Sequence, residues 1–249
     1  MTDEHRGQPS AADTGTSDGQ DELARLFSVF ARSAEQQTDP DATLIEIVRA
    51  AVELIPGCDE GSISVVIGHR QAFSQAPSGE LPRIVDELQE SLGQGPCLDA
   101  AYEQESVRVS DMATEQRWPL FTKAALAAGA AGMLSFQLYV EDDNLGALNL
   151  YSRTAGAFDD ESEHVGLMFA AHAAVAYAAS QKQAKLARNV ATRHLIGMAQ
   201  GILVERHKLT TDQAFALLVR VSQHRNLKLR DVADRLVHTG RLADAGTGP

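Results

Sequence analysis

The sequence has little cysteine and no long apolar run, and each scarcity excludes a class of protein. The two cysteines, Cys58 and Cys97, are too few for a disulfide framework and lack metal-ligand spacing, so a buried thiol is favoured for each. Glycine or charge interrupts every apolar stretch before the roughly 20 residues that a membrane-spanning helix needs. A soluble, cytoplasmic protein without membrane contact is therefore expected.

Residues 1–20 also contain few apolar side chains, since one Met and two Ala are the only ones present. Such a segment cannot bury enough surface to offset chain entropy, so a disordered segment is predicted there. It has neither the basic start nor the apolar core of a signal peptide.

Sequence signatures of catalysis are missing as well. His164 and His172 lie eight residues apart, two helical turns rather than the single turn that a shared metal needs. The loop at 93–96 contains two glycines but lacks the lysine of a phosphate-binding loop. Cys97 has no obvious base nearby, so a buried thiol is favoured over a reactive one. We therefore expect no enzyme activity, no bound metal and no cofactor.

The charge of the chain is unevenly distributed. The formal net charge is −12, but residues 184–241 hold eleven Lys or Arg against four Asp or Glu. Residues 1–183 hold eleven basic and twenty-nine acidic residues. Because screening limits electrostatic reach to about 8 Å at physiological salt, local charge decides what binds. From charge alone, a polyanion-binding end and a solvated arginine-rich face stay equally open.

Hydrophobic periodicity divides residues 21–178 into alternating helices and strands. In the strand near 133–140, apolar Phe136 and Leu138 alternate with polar neighbours, which predicts one buried face and one exposed face. The order favours an α+β fold, an antiparallel sheet with flanking helices. The predicted helices cover 21–37, 44–55, 80–91, 118–129 and a long segment from 159, and the predicted strands cover 61–67, 71–75, 106–110, 133–140 and 145–152.

Four motifs in this part resemble a GAF domain, a signal-sensing module, over about residues 40–178. They are Gly61-Ser62-Ile63-Ser64, the turn Gly95-Pro96-Cys97-Leu98-Asp99, Arg117-Trp118-Pro119 and Gly146-Ala147-Leu148-Asn149-Leu150-Tyr151. The resemblance implies either a small-molecule ligand in a cleft over the sheet or a module that only dimerises. No haem histidine, tetrapyrrole-linking cysteine or cyclic-nucleotide signature narrows the ligand.

The C-terminal part has the pattern of three short helices, hence an all-α three-helix bundle. The segment 195–204 is apolar on every side, which predicts a helix buried among others. Gly197 and Gly201 share one face, where close backbone packing is favoured over two weak points in the helix. Thr210-Thr211-Asp212-Gln213 has the form of a capping box, and Asn226 is a plausible N-cap for the third helix.

Residues 188–238 resemble an ANTAR domain, the RNA-binding module of transcription antiterminators. The likeness rests on Ile196-Gly197-Met198-Ala199-Gln200-Gly201-Ile202-Leu203 with Glu205-Arg206-His207, on Ala214-Phe215-Ala216-Leu217-Leu218, and on Ser222-Gln223-His224-Arg225-Asn226-Leu227-Lys228-Leu229 before Asp231-Val232-Ala233. It implies binding of paired stem-loops in a nascent leader RNA, which prevents formation of an overlapping terminator hairpin.

Nine residues are the candidate RNA contacts that follow from this resemblance. The basic ones would hold phosphates, and two polar ones could reach a base edge. Two alternatives stay open, Asn226 as a helix cap alone and Ser222 as a core hydroxyl. The helical spacing of Phe215 favours a core position over base stacking. The candidates are Arg193, Arg206, Lys208, Arg220, Ser222, Arg225, Asn226, Lys228 and Arg230.

The segment between the two parts, 178–190, contains no Pro or Gly, so one helix is expected to continue through it. A parallel homodimer along this helix is predicted, because two stem-loops need two readers. The expected segments are a disordered 1–20, a sensor domain at 21–178, a helical connector at 179–190, an RNA-binding domain at 191–241 and a flexible tail at 242–249. The alternative function is a sensor that regulates a partner protein through helical contacts without RNA.

Overall fold

The computed structural model describes residues 25, 28–30, 32–33, 37, 39–67, 71–102, 104–140 and 143–242. The predicted disordered segment 1–20 and all of the predicted tail except Leu242 lie outside the described residues, as does much of the predicted helix over 21–37. Two compact units, Met1–Gln181 and Lys182–Pro249, divide the chain.

The first unit is a five-stranded antiparallel sheet with helices on it, as predicted. The strand order is β2-β1-β5-β4-β3. The predicted hairpin strands β4 and β5 pair along nearly their whole length. The elements are α1 (Pro40–Leu54), β1 (Glu60–Ile67), β2 (Gln71–Gln75), α2 (Glu80–Leu92), α3 (Pro96–Tyr102), β3 (Ser106–Val109), α4 (Pro119–Ala128), β4 (Gly132–Val140) and β5 (Asp143–Ser152).

Helix α3 was not predicted, since the 93–97 segment has the composition of a loop. Gly93 and Gly95 do have positive φ, 63° and 141°, but Pro96 then begins a helix. Proline suits a first helical position, where its missing N–H would have no partner. As a result Cys97 lies on a helix against the sheet rather than in a loop.

Both faces of the sheet are covered, so the prediction of one exposed face is wrong for the first half of β4. Leu134 and Phe136 belong to a core with α1, whereas Met133 packs with residues of α2, α3 and α4 on the other face. Even Ser135 is completely buried. The expected alternation appears only towards Tyr139, which is 48% exposed. Alternation of apolar and polar residues predicts burial of one face of a strand. Helices cover both faces of this sheet, so burial does not alternate there.

A single 48-residue helix, α5 (Asp160–His207), confirms the predicted continuous helix through the connector. Two shorter helices follow, α6 (Thr211–Arg225) and α7 (Leu229–Thr239). The predicted capping box of α6 is present, with Thr210 and Gln213 each bonded to the other's backbone N–H. No helix in the described part of the chain is both long and apolar enough to cross a lipid bilayer.

The second unit packs the end of α5 with α6 and α7 around a small aliphatic core. The prediction that segment 195–204 is buried on every side is wrong. Ala199 and Leu203 are completely buried, but Met198 is 40% exposed. Around Gly197 and Gly201, no described atom lies within 4 Å of where a Cβ would stand. Close packing at these glycines within one chain is therefore also wrong.

Asn226 caps the end of α6 rather than the start of α7, which corrects the predicted N-cap. Its backbone is left-handed, with φ 49° and ψ 40°, and its N–H bonds to carbonyls of the last turn of α6. Lys228 holds the N-cap position of α7. Asparagine tolerates the left-handed region better than most residues, which explains its presence between the two helices.

Candidate nucleic-acid interface

Arginines of the sensor unit and of the C-terminal unit differ in their partners. Between residues 40 and 178, every described arginine forms an ion pair with a neighbouring acid: Arg49, Arg83, Arg108, Arg117 and Arg153. In the C-terminal unit, five candidate RNA contacts are exposed and form neither an ion pair nor a side-chain hydrogen bond with any described residue: Arg193, Arg220, Arg225, Lys228 and Arg230. Uncompensated positive charge is thus concentrated in the short helical unit.

Four of the candidates lie together where α6 meets α7, and we call residues 225–230 the basic turn. Arg225 ends α6, Asn226 follows in the left-handed conformation, and Lys228 and Arg230 begin α7. The side-chain amide of Asn226 makes no hydrogen bond within the described chain and is exposed. The turn therefore presents three cations and one amide to solvent.

Hydrogen bonds from Ser222 hold the basic turn in place. Its hydroxyl donates to the carbonyl of Leu227 at 2.6 Å, and its own carbonyl accepts from the N–H of Leu227 at 3.0 Å. These bonds close the chain across the left-handed residue. Ser222 is consequently half-buried and engaged with the backbone rather than placed in the core.

Arg206 and Lys208 line a separate open groove of about 970 Å³ between α5 and α7. Arg206 donates to the carbonyl of Gly240, at the negative end of α7, and Lys208 pairs with Glu205 at 2.7 Å. Both are therefore partly committed to the fold. The lining residues are Met198, Gly201, Ile202, Glu205, Arg206, Lys208 and Val237.

The remaining two candidates point away from the basic turn. At about 100° per residue, Arg220 lies about 140° around α6 from Arg225, the last residue of that helix. Arg193 lies on α5, three residues after Val190 and four residues before Gly197, and therefore shares a face with both. The structure therefore groups four candidates in the basic turn, with Ser222 bonded to its backbone, and two in the groove, and it leaves Arg193 and Arg220 outside both.

Sequence reasoning placed Phe215 in the core, and this prediction is wrong. The ring is 42% exposed, and the core side of α6 is formed by Ala214, Leu218 and Val221. Adjacent apolar residues at 214 and 215 leave periodicity unable to tell which one points inward. One signal was available in the sequence: Phe215 is the sole aromatic residue after Tyr177.

The sensor unit contains a buried polar cluster on the sheet face that α2 and α3 cover. Ser135 donates to Asn149 and Asn149 donates to Ser64, each at 3.0 Å, because neighbouring strands place these side chains on one face. Gln89 accepts from the N–H of Cys97 at 2.8 Å. The side-chain nitrogen of Gln89 is buried and has no hydrogen-bond partner among the described residues.

Asp86 is the one buried carboxyl of this cluster in the described chain. Burial raises its pKa, although hydrogen bonds from the hydroxyls of Ser74 and Tyr151 act in the opposite direction. Burial and the nearby Asp86 likewise raise the pKa of Tyr151 well above its ordinary value. The cluster thus places polar side chains in a buried region, where the charged form of a side chain is disfavoured.

Protein-family models match both units of the chain. A family model described as "GAF domain" matches residues 37–178, and one described as "ANTAR domain" matches residues 184–237. The chain belongs to the GAF family and carries an ANTAR domain. Both resemblances seen in the sequence are confirmed, and with them the α+β sensor followed by the all-α bundle. A GAF sensor joined to an ANTAR domain makes the chain a signal-regulated regulator.

Solved structures similar to this GAF–ANTAR protein share the sensor fold. The GAF domain of a phosphoenolpyruvate-protein phosphotransferase from Coxiella burnetii is 16% identical with a TM-score of 0.51, covering 65% of this chain and 95% of that chain. Free methionine-R-sulfoxide reductase from Neisseria meningitidis, in complex with its substrate, is 18% identical with a TM-score of 0.52, covering 72% and 99%. At these identities the likeness shows the fold alone. No curated protein matches the chain.

The two thiols of the GAF domain are poor nucleophiles. Burial raises the pKa of Cys58 and of Cys97 to about 12, so both are protonated at neutral pH. Cys97 is buried, which confirms the favoured state, whereas Cys58 is half-buried. Among the residues that the structure describes, no group of three or more His, Cys, Asp or Glu side chains could hold a metal ion.

Proposed function

We propose that this GAF–ANTAR protein binds stem-loops in nascent leader RNA and so prevents formation of a terminator hairpin. The observation that carries the proposal is the group of exposed, unpaired cations in the basic turn of the ANTAR unit, Arg225, Lys228 and Arg230. The protein then acts in the cytoplasm on the transcript during its synthesis, as a regulator rather than an enzyme.

The basic turn has the chemistry that such RNA needs. Sequence-specific RNA recognition targets loops and bulges, where the edges of unpaired bases are accessible, while cations hold the phosphates. Arg225, Lys228 and Arg230 supply the positive charge, and the free amide of Asn226 can both donate to and accept from a base edge. Arg206 and Lys208 can extend phosphate contact along the groove.

The protein acts as a parallel homodimer in this proposal, so that each copy holds one of two stem-loops. Leu186 and Val190 on α5 are 56% and 66% exposed, although both are apolar. At helical spacing they share a face with Gly197 and Gly201, and apart from the backbone of α5 itself no described atom lies within 4 Å of a Cβ at either glycine. A second copy of α5 could cover this face along the connector.

The signal that the GAF domain senses is a small polar molecule in this proposal. Support comes from the buried cluster between the sheet and the covering helices, where the side-chain nitrogen of Gln89 has no partner among described residues. A ligand with a hydrogen-bond acceptor would satisfy that nitrogen. Isothermal titration with candidate metabolites, compared between wild type and Gln89→Leu, tests this part.

RNA binding is tested with hairpins that have randomised loops. The wild-type chain is used to enrich RNA from this library, and the selected RNA then serves as the probe. We expect Arg225→Ala and Lys228→Ala each to weaken binding by several-fold, because each removes an unpaired cation. Arg83→Ala is the matched control, since Arg83 is exposed but paired with Glu80 and Glu87.

Two outcomes would reject the proposal. In the first, the wild-type chain enriches no hairpin. In the second, the Arg225 and Lys228 variants bind the probe as well as Arg83→Ala does. If the wild-type chain binds a protein partner but no hairpin, the result would favour the alternative, a sensor that acts through helical contacts.

A further inference from the structure

Phe215 exposes its ring in a unit whose core contains no aromatic residue. The described core of the ANTAR unit consists of Ala, Leu, Val and Ile side chains, with Phe215 absent from it. Large apolar side chains are normally buried, and an exposed one costs the folded state the free energy that burial would supply. Part of the ring is therefore accessible to a ligand.

Helical geometry places Ser222 on the same side of α6 as this ring. At about 100° per residue, Val219 and Ser222 fall within about 40° of Phe215 around α6. This face runs about 10 Å along the axis from Phe215 to Ser222, and the Ser222 hydroxyl donates to the carbonyl of Leu227 in the basic turn. The aromatic ring is therefore followed along α6 by the turn that holds Arg225, Lys228 and Arg230.

We propose that this face of α6 receives an unpaired base of the RNA loop, stacked on Phe215, while the basic turn holds phosphates of neighbouring nucleotides. The inference rests on the proposed function and names the residue that distinguishes a loop from a paired stem. Unpaired bases stack on aromatic side chains, whereas bases within a duplex have no free π-face to offer.

Charge favours RNA over a second copy of the chain as the occupant. Two copies that met through this face would bring two sets of Arg225, Lys228 and Arg230 near each other, and like charges repel. A polyanion instead meets complementary charge at the same end of the face.

The experiment compares Phe215→Leu with Phe215→Trp in the full chain, using the hairpin probe that the wild type selects. Leucine keeps an apolar side chain but lacks a π-face, so we expect an affinity loss of about 5- to 150-fold. Tryptophan keeps the π-face, so affinity should stay within about threefold of wild type. The salt dependence of binding should not change in either variant, because no phosphate contact is lost.

Fluorescence gives a second readout. Trp118 is the only tryptophan of the wild type, so its signal can be subtracted from that of Phe215→Trp. Stacking predicts that the probe quenches the added tryptophan. The control Phe73→Leu removes another exposed ring, 37% exposed in the GAF domain, and should bind RNA as the wild type does.

The outcomes separate this inference from the proposed function. If the wild type selects no RNA, the proposed function fails. If the wild type binds but Phe215→Leu binds as tightly, or the added tryptophan is not quenched, the stacking inference is overturned. It is also overturned if Phe215→Leu turns a dimer into a monomer and regains full RNA affinity at high protein concentration, because the face is then an interface between copies.

Discussion

The arginines of this protein differ in whether an acidic side chain lies beside them. Arg83 lies between Glu80 and Glu87 on α2, so its charge is compensated within one helix. Arg225 has no such neighbour within the described chain and remains available to a phosphate. The same residue type therefore has different consequences when it is removed, which the Arg83→Ala control uses.

Substitution of Asn226 by glycine separates its conformational role from a contact with RNA. Glycine adopts the left-handed backbone at least as readily as asparagine, so Asn226→Gly should change the free energy of unfolding by less than about 0.5 kcal/mol. The amide is lost, so RNA affinity should fall. Urea denaturation and a binding titration measure the two effects. Unchanged affinity would leave Asn226 as a cap alone.

Asp86 should make stability depend on pH. Its folded pKa is raised above the ordinary value of about 3.9, so the native state holds a proton that the unfolded state releases. The free energy of unfolding therefore falls as pH rises from about 4 towards the folded pKa, and it is constant above that value. Asp86→Asn cannot ionise and should lack this fall in urea denaturation between pH 4 and pH 8. Parallel pH profiles for the two proteins would contradict a buried protonated Asp86.

At the scale of the element, α5 contains two glycines at positions where alanine would stabilise the helix more. Each glycine in a helix interior costs about 1 kcal/mol relative to alanine. Apart from the backbone of α5 itself, no described atom lies within 4 Å of a Cβ at Gly197 or Gly201, so packing among the described residues does not explain them. Their face also holds the exposed Val190, and a partner helix would account for all three.

Replacement of both glycines by alanine should act in opposite directions on the chain and on the dimer. Gly197→Ala/Gly201→Ala should stabilise the single chain by about 1–2 kcal/mol, since the added methyl groups enter open space. The same methyl groups should weaken a close helix pair. Thermal unfolding and sedimentation measure the two quantities, and a dimer of unchanged affinity would remove the glycines from the interface.

Charged substitutions locate the same interface independently. Val190→Glu places a charge on the shared face, whereas Ala191→Glu places it well to the side of that face on the same helix turn. We expect the first to dissociate the dimer and the second to leave it intact. A monomeric wild type, or equal loss in both variants, would argue against pairing along this face.

For the molecule as a whole, the opposite charges of the two parts matter more than the net value. An acidic chain with a net charge of −12 can bind a polyanion only where positive charge is concentrated. In the described ANTAR unit that concentration coincides with cations that lack acid partners.

RNA affinity should consequently depend strongly on salt. With about five phosphate contacts per subunit, the logarithm of the binding constant should fall with a slope of about −4 against the logarithm of salt concentration. A rise from 50 to 200 mM salt would then weaken binding by about 200-fold. Arg225→Ala should reduce the slope by about 1. Binding that hardly changes with salt would indicate an apolar protein interface instead.

The sequence alone determined the elements whose causes are local. The abundance of β-branched residues predicted β1, and the capping box at Thr210 predicted the start of α6, because each pattern acts within a few residues. The absence of Pro and Gly through 178–190 predicted the continuous helix α5 for the same reason. Charge counts along the chain likewise located the basic C-terminal unit.

Only the tertiary structure decided which side of each element is covered. Ser135 is buried because helices lie on both faces of the sheet, and Phe215 is exposed because Ala214 and Leu218 already fill the core. Arg153 is paired with Glu60, which lies 93 positions away in the sequence. Burial and pairing depend on neighbours distant in the sequence, and local periodicity carries no information about which neighbours those are.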